Sequence, residues 1–394
     1  MRFGLIAIGV GSVAVAAIAA ACQTYDFEPV QPLALTQDTE GVITSANPLK
    51  ANVMLVVDKS GSMLYPVDTN NTNCASGCGP QAPCGPNCPT RLSEMKGAMV
   101  PFLSGPQGDI ARFGLAVFPL ATSNANACTE GGIDKDIPST DDGIALAGAA
   151  STIGSVIQAI GAGGYPAIGG TPTAATLTKL ETYAPLLDSQ RANIALLLTD
   201  GLPNCNGSLN GATCACVQAG TCSSTSSLNC LDTQATLGAI NSLRSKSIKT
   251  MVVGFGAETA AAGVAFDTLN AMADAGGMGR QCTSNADCGA GDTCSAGSCG
   301  RRFYQAGNSA ELAAVLQKLA IILIPGDPCN YHFSTPPRDP SFIVVYVDSQ
   351  KIAPGADTWT YDPATQNVQL QGSLCTKVQT TDKLTVQVSA LNTL

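Results

Sequence analysis

Histidine is nearly missing from this 394-residue chain: the only one is His332. A Ser-His-Asp arrangement in the N-terminal half therefore lacks its base, and zinc chemistry resting on several histidines is excluded. A Gly-rich loop ending in Gly-Lys-Ser/Thr is also missing, which removes the usual nucleotide-phosphate cradle. Charged residues are scarce at 12%, and no run of Lys or Arg with interleaved aromatics occurs. With a formal net charge of -9, the chain would repel a phosphate backbone, so nucleic acid is not an expected partner.

What is present is apolar and small. Hydrophobic residues make up 45% and glycine contributes 41 residues, which points to tightly packed globular structure rather than disorder. The length suggests two folded units with attachments.

The N-terminus carries Arg2, then an uncharged apolar run over residues 3–21, then Cys22 directly after Ala19-Ala20-Ala21. This reads as a signal peptide, and a transmembrane anchor is the poorer reading because the run is short and lacks a charged stop. Ala-Ala-Ala-Cys resembles a bacterial lipobox, in which the Cys thiol is acylated. Ala19 stands where such sites usually carry Leu, and Ala19-x-Ala21 would also suit ordinary signal peptidase. Cysteine parity bears on the choice. The 17 cysteines are odd in number, and lipidating Cys22 leaves 16, a set compatible with eight disulfides in an oxidising compartment. The protein is thus expected to be exported to the bacterial envelope or outer surface and lipid-anchored to the membrane at Cys22.

Residues 23–50 are polar, contain Pro29, Pro32 and Pro48, and suit a linker. Residues 53–57 are then continuously apolar up to Asp58, as in a parallel strand buried on both faces. Further strand-like runs cover 113–118, 194–198, 251–255 and 303–305. Helical periodicity places Leu92, Met95, Met99 and Phe102 on one face, as it does Ile153, Val156, Ile157 and Ile160, and again Leu312, Val315, Leu316 and Leu319. The alternation predicts an α/β fold with a doubly wound, mostly parallel sheet, whose functional loops sit at the strands' carboxyl ends. After the breaker Ile324-Pro325-Gly326-Asp327-Pro328, β-rich runs at 342–347, 358–361, 368–370 and 384–388 predict a small β domain, with Cys329 and Cys375 available to staple it.

Asp58-Lys59-Ser60-Gly61-Ser62 occupies the carboxyl end of the first strand. An Asp and two hydroxyls at alternate positions of a tight loop can converge on one point, and oxygen-only ligands favour a hard cation. Taken alone, the pattern is also a common capped turn. Here the chain resembles the von Willebrand factor A family, whose metal-ion-dependent adhesion site has the pattern Asp-x-Ser-x-Ser. The family's further Thr is matched by Thr171 in Gly169-Gly170-Thr171-Pro172-Thr173, with Thr173 a near-equivalent. Its further Asp is matched by Asp200 in Leu198-Thr199-Asp200-Gly201. The resemblance spans about residues 50 to 323. It implies that Ser60, Ser62 and Thr171 bind Mg2+ (or Mn2+/Ca2+) directly, that Asp58 and Asp200 act directly or through water, and that an acidic side chain of a protein ligand fills the open position.

Cysteine-rich inserts interrupt this pattern. Cys74, Cys78, Cys84 and Cys88 follow Ser62, and Cys205, Cys214, Cys216, Cys222 and Cys230 follow Asp200. Cys128 follows the second strand and could reach the same end, making ten there. The x3 spacings would suit zinc, but export favours disulfides. Cys282, Cys288, Cys294 and Cys299 form a separate short module, expected at the opposite end of the sheet. Asp287 and Asp292 within it read as solvated loop acids rather than calcium ligands.

The expected organisation is a lipoprotein signal peptide over 1–22, a linker over 23–50, a von Willebrand factor A-like domain over 51–323 with inserts at 64–90, 202–230 and 280–302, and a β domain over 324–394. No enzyme is expected: a hydrolase built on Asp58, Asp200 and a metal would lack a general base beyond committed ligands. A structural envelope scaffold with an incidental or vestigial site is the first alternative to ligand binding, and a metal-dependent hydrolase the second.

Overall fold

The computed structural model describes residues 41–394 except 46, 69, 218–220, 224–226, 257–262, 290, 324–328, 381–385 and 394, so the expected signal peptide and Cys22 lie outside the described residues. Two short strands, β1 (Gly41–Ser45) and β2 (Asn47–Pro48), lead into β3 (Asn52–Asp58). Helix α1 (Arg91–Ser104) follows, then β4 (Arg112–Phe118), β5 (Gly132–Lys135), α2 (Gly143–Ala159), α3 (Thr173–Leu180) and β6 (Asn193–Thr199). The unit closes with α4 (Thr233–Ser245), β7 (Ile248–Phe255), α5 (Val264–Gly276), the small module α6 (Asn285–Cys288), β8 (Cys294–Ser295) and β9 (Ser298–Cys299), and finally β10 (Tyr304–Ala306) and α7 (Ser309–Leu323).

The strands form one six-stranded sheet in the order β10-β7-β6-β3-β4-β5, parallel throughout except for the antiparallel edge strand β5. All seven residues of β3, of β4 and of β6 are buried, because helices cover both faces and leave no side for polar alternation. Along β3, Val53, Leu55 and Val57 pack with Met95 and Met99 of α1, Ile153 and Ile157 of α2 and Leu312 and Leu316 of α7. Met54 and Val56 face the other way, onto Leu177 of α3, Ile240 of α4 and Leu269 of α5. Each such side chain contributes about 1.5–3 kcal/mol relative to exposure. The first set of helices is the one that sequence periodicity found. The second was not singled out, since α3 has only eight residues and α4 mixes polar positions into its buried stripe.

Past α7 come β11 (Asn330–His332), β12 (Ile343–Val347), β13 (Gln350–Ile352), β14 (Trp359–Asp362), β15 (Asn367–Leu370), α8 (Gly372–Thr380) and β16 (Val386–Thr393). They build two four-stranded sheets, β1-β16-β12-β13 and β14-β15-β11-β2. Ile343, Val345, Val347 and Val388 of one sheet share a core with Tyr331, Trp359, Val368 and Leu370 of the other. Cys329–Cys375 staples this unit, and the Trp359 indole donates to the Ile352 carbonyl at 2.8 Å.

The end of the expected linker is a correction. Gly41–Ser45 pairs antiparallel with β16 from Gly41↔Thr393 to Ser45↔Ser389, and Asn47–Pro48 pairs with β11. Gly41–Ser45 and Asn47–Pro48 therefore complete both sheets of the C-terminal unit, and the α/β unit is inserted between their strands. Pro48 suits its edge position in a two-residue strand, where no ladder donor is needed.

No helix among the described residues is long and apolar enough to cross a membrane.

Candidate functional site

β3 and β6 are parallel neighbours, so their carboxyl ends lie side by side and bring Asp58 close to Thr199 and Asp200. The Thr199 hydroxyl donates to Asp58 Oδ2 at 2.7 Å, and the Ser60 amide donates to Asp58 Oδ1 at 2.8 Å. Asp58 is fully buried. Burial, aided by the nearby charge of Asp200, pushes its pKa up to about 7 against the opposing pull of those hydrogen bonds.

A single 3-10 turn, Gly61–Leu64, folds the chain back after Ser60. It sets Ser60 Oγ 2.8 Å from Ser62 Oγ, and Ser62 Oγ in turn donates to Asp200 Oδ1 at 2.9 Å. Two hydroxyls and two carboxylates thus join in one hydrogen-bonded cluster. Ser60 and Asp200 are buried, whereas Ser62 is half-buried and opens the cluster outward.

The third contribution comes from the loop before α3. The Gly61 amide donates to the Gly169 carbonyl at 3.0 Å, and the Ile168 amide to the Lys59 carbonyl at 3.0 Å, which lays this loop along the first one. Gly169 has φ +97°, and a Cβ there would lie 2.4 Å from the Ala127 carbonyl oxygen, so the approach demands glycine. Thr171 follows and is buried, facing a cleft of about 590 Å3 that Ser62, Asp200 and Gly201 also line. A Cβ at Gly201 would lie 3.8 Å from both Ser62 Oγ and Thr171 Oγ1, so the two hydroxyls flank this glycine. Thr173, the near-equivalent in sequence, instead directs its hydroxyl to the Thr171 carbonyl at 3.4 Å.

All five residues singled out in the sequence therefore stand at one end of the sheet. Four residues of this neighbourhood were not singled out. Thr199 and Asn204 hold Asp58 and Thr171, respectively. Lys59 is almost fully buried and donates to the carbonyls of Ala121 at 3.1 Å and Pro166 at 3.0 Å, tying together the loops around the site. Arg91 donates from Nη1 to Asp200 Oδ2 at 2.7 Å, as a buried ion pair. Lys59 was visible as a charge inside the motif. Arg91 was not, because a long insert separates it from Ser62.

The inserts flank this cleft as the strand-end placement implied. In the first, the Arg91 amide donates to the Tyr65 carbonyl at 3.1 Å and Val67 to Pro89 at 3.0 Å, which closes the base of the insert and sets Tyr65 and Arg91 together on the cleft. Its disulfides are Cys74–Cys88 and Cys78–Cys84. The second insert lines the cleft with Leu202, Asn204 and Val217 and carries Cys214–Cys230 and Cys216–Cys222. Cys128–Cys205 joins it to the segment after β4. The ten cysteines of this face pair among themselves.

The third module, closed by Cys282–Cys294 and Cys288–Cys299, follows α5, whose last turn bridges Gly277 to Thr250 near the start of β7. It therefore lies at the opposite end of the sheet. Its acids are locally engaged: Asp287 accepts from the amides of Thr283 and Ser284, and Asp292 pairs with Arg280 at 3.2 Å. Eight disulfides among the described residues fit an oxidising compartment.

No family model and no curated protein matches the chain. Among solved structures it is similar to the pilus adhesin SpaC from Lactobacillus rhamnosus GG, with TM-score 0.40 and 14% identity over 88% of this chain and 40% of that one. It is also similar to the manganese-loaded TRAP protein of Plasmodium vivax, with TM-score 0.38 and 14% identity over 71% of this chain and 78% of that one. A third is the PilB minor pilin from Streptococcus sanguinis, with TM-score 0.40 and 15% identity over 71% of this chain and 62% of that one. The chain thus spans well under two thirds of SpaC and slightly under two thirds of PilB. The sheet order and the helices on both faces make the α/β unit doubly wound, with the Asp-x-Ser-x-Ser loop ending β3, the fold that the resemblance to the von Willebrand factor A family implies.

Proposed function

We propose that this is an exported, envelope-tethered protein that binds a protein ligand through a divalent cation held by Asp58, Ser60, Ser62, Thr171 and Asp200. The observation that carries this reading is an oxygen-only donor set from three separate loops at the carboxyl end of the sheet: Ser62, Thr171 and Asp200 line one cleft, and Ser60 and Asp58 stand behind them, tied in by hydrogen bonds. Asp58, a fully buried carboxylate whose proton affinity burial and the charge of Asp200 both raise, is better satisfied by a cation than by burial alone. The donors are hard, which suits Mg2+ or Mn2+, with Ca2+ as a further choice.

The chain's own residues would do the positioning. Ser60, Ser62 and Thr171 offer hydroxyl oxygens, Asp58 is oriented by Thr199 and the Ser60 amide, and Asp200 is oriented by Ser62 and Arg91. A bound cation would supply the electrophile that attracts a carboxylate from the ligand. Tyr65, Leu202 and Val217 line the cleft beside it and provide apolar surface for the ligand residues flanking that acid. Lipidation at Cys22 would hold the site at the membrane.

The test is an affinity pull-down from envelope or host-surface extracts with the full mature chain, repeated with EDTA and with Asp58→Ala. Capture should fall at least tenfold in both cases and return when Mn2+ is added back to the wild type. Partners that survive chelation and Asp58→Ala without weakening would sink the proposal in favour of a scaffold role.

A further inference from the structure

Arg91 brings a fixed positive charge into a site whose proposed role is to hold a cation. It opens α1, its side chain is 3% exposed, and its Nη1 lies 2.7 Å from Asp200 Oδ2. Asp200 is therefore divided: Oδ2 receives the guanidinium, while Oδ1 receives the Ser62 hydroxyl at 2.9 Å. Arg91 is also held in place by its surroundings. Its guanidinium carbon lies 5.9 Å from the centre of the Tyr65 ring, and its amide donates to the Tyr65 carbonyl. Gly256, just past β7, packs so closely that a Cβ there would come within 3.1 Å of Arg91 Nε and 3.5 Å of Cδ. This is a built position, not a mobile surface arm. Lys59, the other buried cation nearby, directs its ammonium to the carbonyls of Ala121 and Pro166 instead.

We infer that Arg91 is an internal counter-cation that weakens the site's hold on its divalent ion and so sets the cation concentration at which the site fills. This rests on the cation-binding reading above. Counting the carboxylates and Arg91 alone, Asp58 and Asp200 would offer a formal charge of -2 without Arg91 and -1 with it; Lys59, whose charge also reaches Asp58, adds the same amount in both cases. A fixed charge 2.7 Å from a carboxylate oxygen of a residue that would hold the ion, in a buried site where screening is weak, would raise the cost of bringing in two more positive charges. The same deficit leaves the loaded site net positive, which strengthens its pull on a ligand carboxylate. Arg91 thus trades cation affinity for demand on the ligand's acid. A purely structural role for Arg91 predicts the opposite sign, since misplacing Asp200 would loosen the ion.

The experiment is calorimetric titration of the purified mature chain with Mn2+ alone, comparing wild type, Arg91→Met and Arg91→Lys, with near-ultraviolet circular dichroism to report packing. Arg91→Met should bind Mn2+ at least tenfold more tightly than wild type, and Arg91→Lys, which keeps the charge, should stay within about threefold, given that tenfold corresponds to roughly 1.4 kcal/mol. If Arg91→Met does not fold, Arg91→Gln keeps an N–H donor for Asp200 without the charge, and carries the same expectation. Unchanged or weaker Mn2+ binding in the folded neutral variant, or tightening in Arg91→Lys equal to that in Arg91→Met, overturns the inference and leaves the site itself standing. A wild-type chain that takes up no Mn2+ overturns both.

Discussion

Asn204 and Thr171 are joined twice: the Thr171 amide donates to Asn204 Oδ1 at 2.6 Å, and the Asn204 amide donates back to the Thr171 carbonyl at 2.9 Å. The pair ties the loop before α3 to the segment following Asp200, so two of the candidate ligands share one brace. Asn204→Ala deletes the side-chain acceptor and leaves the Thr171 amide without it, at a cost of about 1–3 kcal/mol. The urea midpoint should drop and Mn2+ binding should weaken together. Mn2+ affinity equal to wild type would show that the Thr171 loop holds its own shape.

Cys128–Cys205 closes 77 residues of chain directly behind this brace. Replacing both cysteines by Ser should cost about 2–4 kcal/mol, mostly by freeing the unfolded chain. Equilibrium denaturation of the oxidised double variant measures it. Protease cleavage within residues 202–230 should accelerate as well, and resistance equal to wild type would count against a clamping role.

Gly170 lies inside the clamp. A Cβ there would come within 2.6 Å of Cys205 Sγ and 2.7 Å of Asn204 Oδ1, and neither atom is free to move, one being in a disulfide and the other bonded to Thr171. Gly170→Ala should therefore destabilise the fold by about 1–3 kcal/mol through overpacking. Gly207→Ala, where an added Cβ meets nothing, is the control and should change the thermal midpoint little.

Asp58 links the site to pH. Its pKa rises from an ordinary 3.8 to about 7 when the chain folds without a cation, because of burial and the charge of Asp200. Between those values the folded chain keeps a proton that the unfolded chain releases. This contribution to stability is complete below the lower value and is lost as pH rises through the upper one. In EDTA, the thermal midpoint should fall between about pH 5 and about pH 8, and Asp58→Asn should flatten that slope. Added Mn2+ should stabilise wild type more at the higher pH, where no proton competes. An equal Mn2+ effect at both pH values would refute the coupling.

Much of the fold was legible because the central strands are buried on both faces. Residues 53–57, 113–118, 194–198 and 251–255 each fall within an observed strand, since a fully covered parallel strand leaves an uninterrupted apolar run. Helices α1, α2 and α7 were legible for the complementary reason: one apolar stripe at helical spacing. Strands β1, β2 and β11 were not. They have five residues or fewer, and pairing partners that lie across the whole inserted unit decide their structure. In the site, the five oxygen-bearing residues could be named from motif and order, while Asn204 and Arg91 could not, since an Asn beside a Cys and an Arg at a helix start are ordinary in any sequence.

The sequence by itself determined which residues could act: three hydroxyls, two carboxylates, and a cysteine count that becomes even once Cys22 is set aside. It also determined that Asp58 and Asp200 stand at strand ends, because hydrophobic runs stop where strands stop, and that Thr171 precedes a helix. Only the tertiary structure decided how the sixteen remaining cysteines pair, that Gly41–Ser45 and Asn47–Pro48 belong to the C-terminal sheets, and that Arg91 sits on Asp200. Local pattern records what each segment does with its own backbone and its own apolar face. Pairing between segments more than a hundred residues apart, such as Arg91 with Asp200, depends on how the whole chain packs, and no local periodicity carries that information.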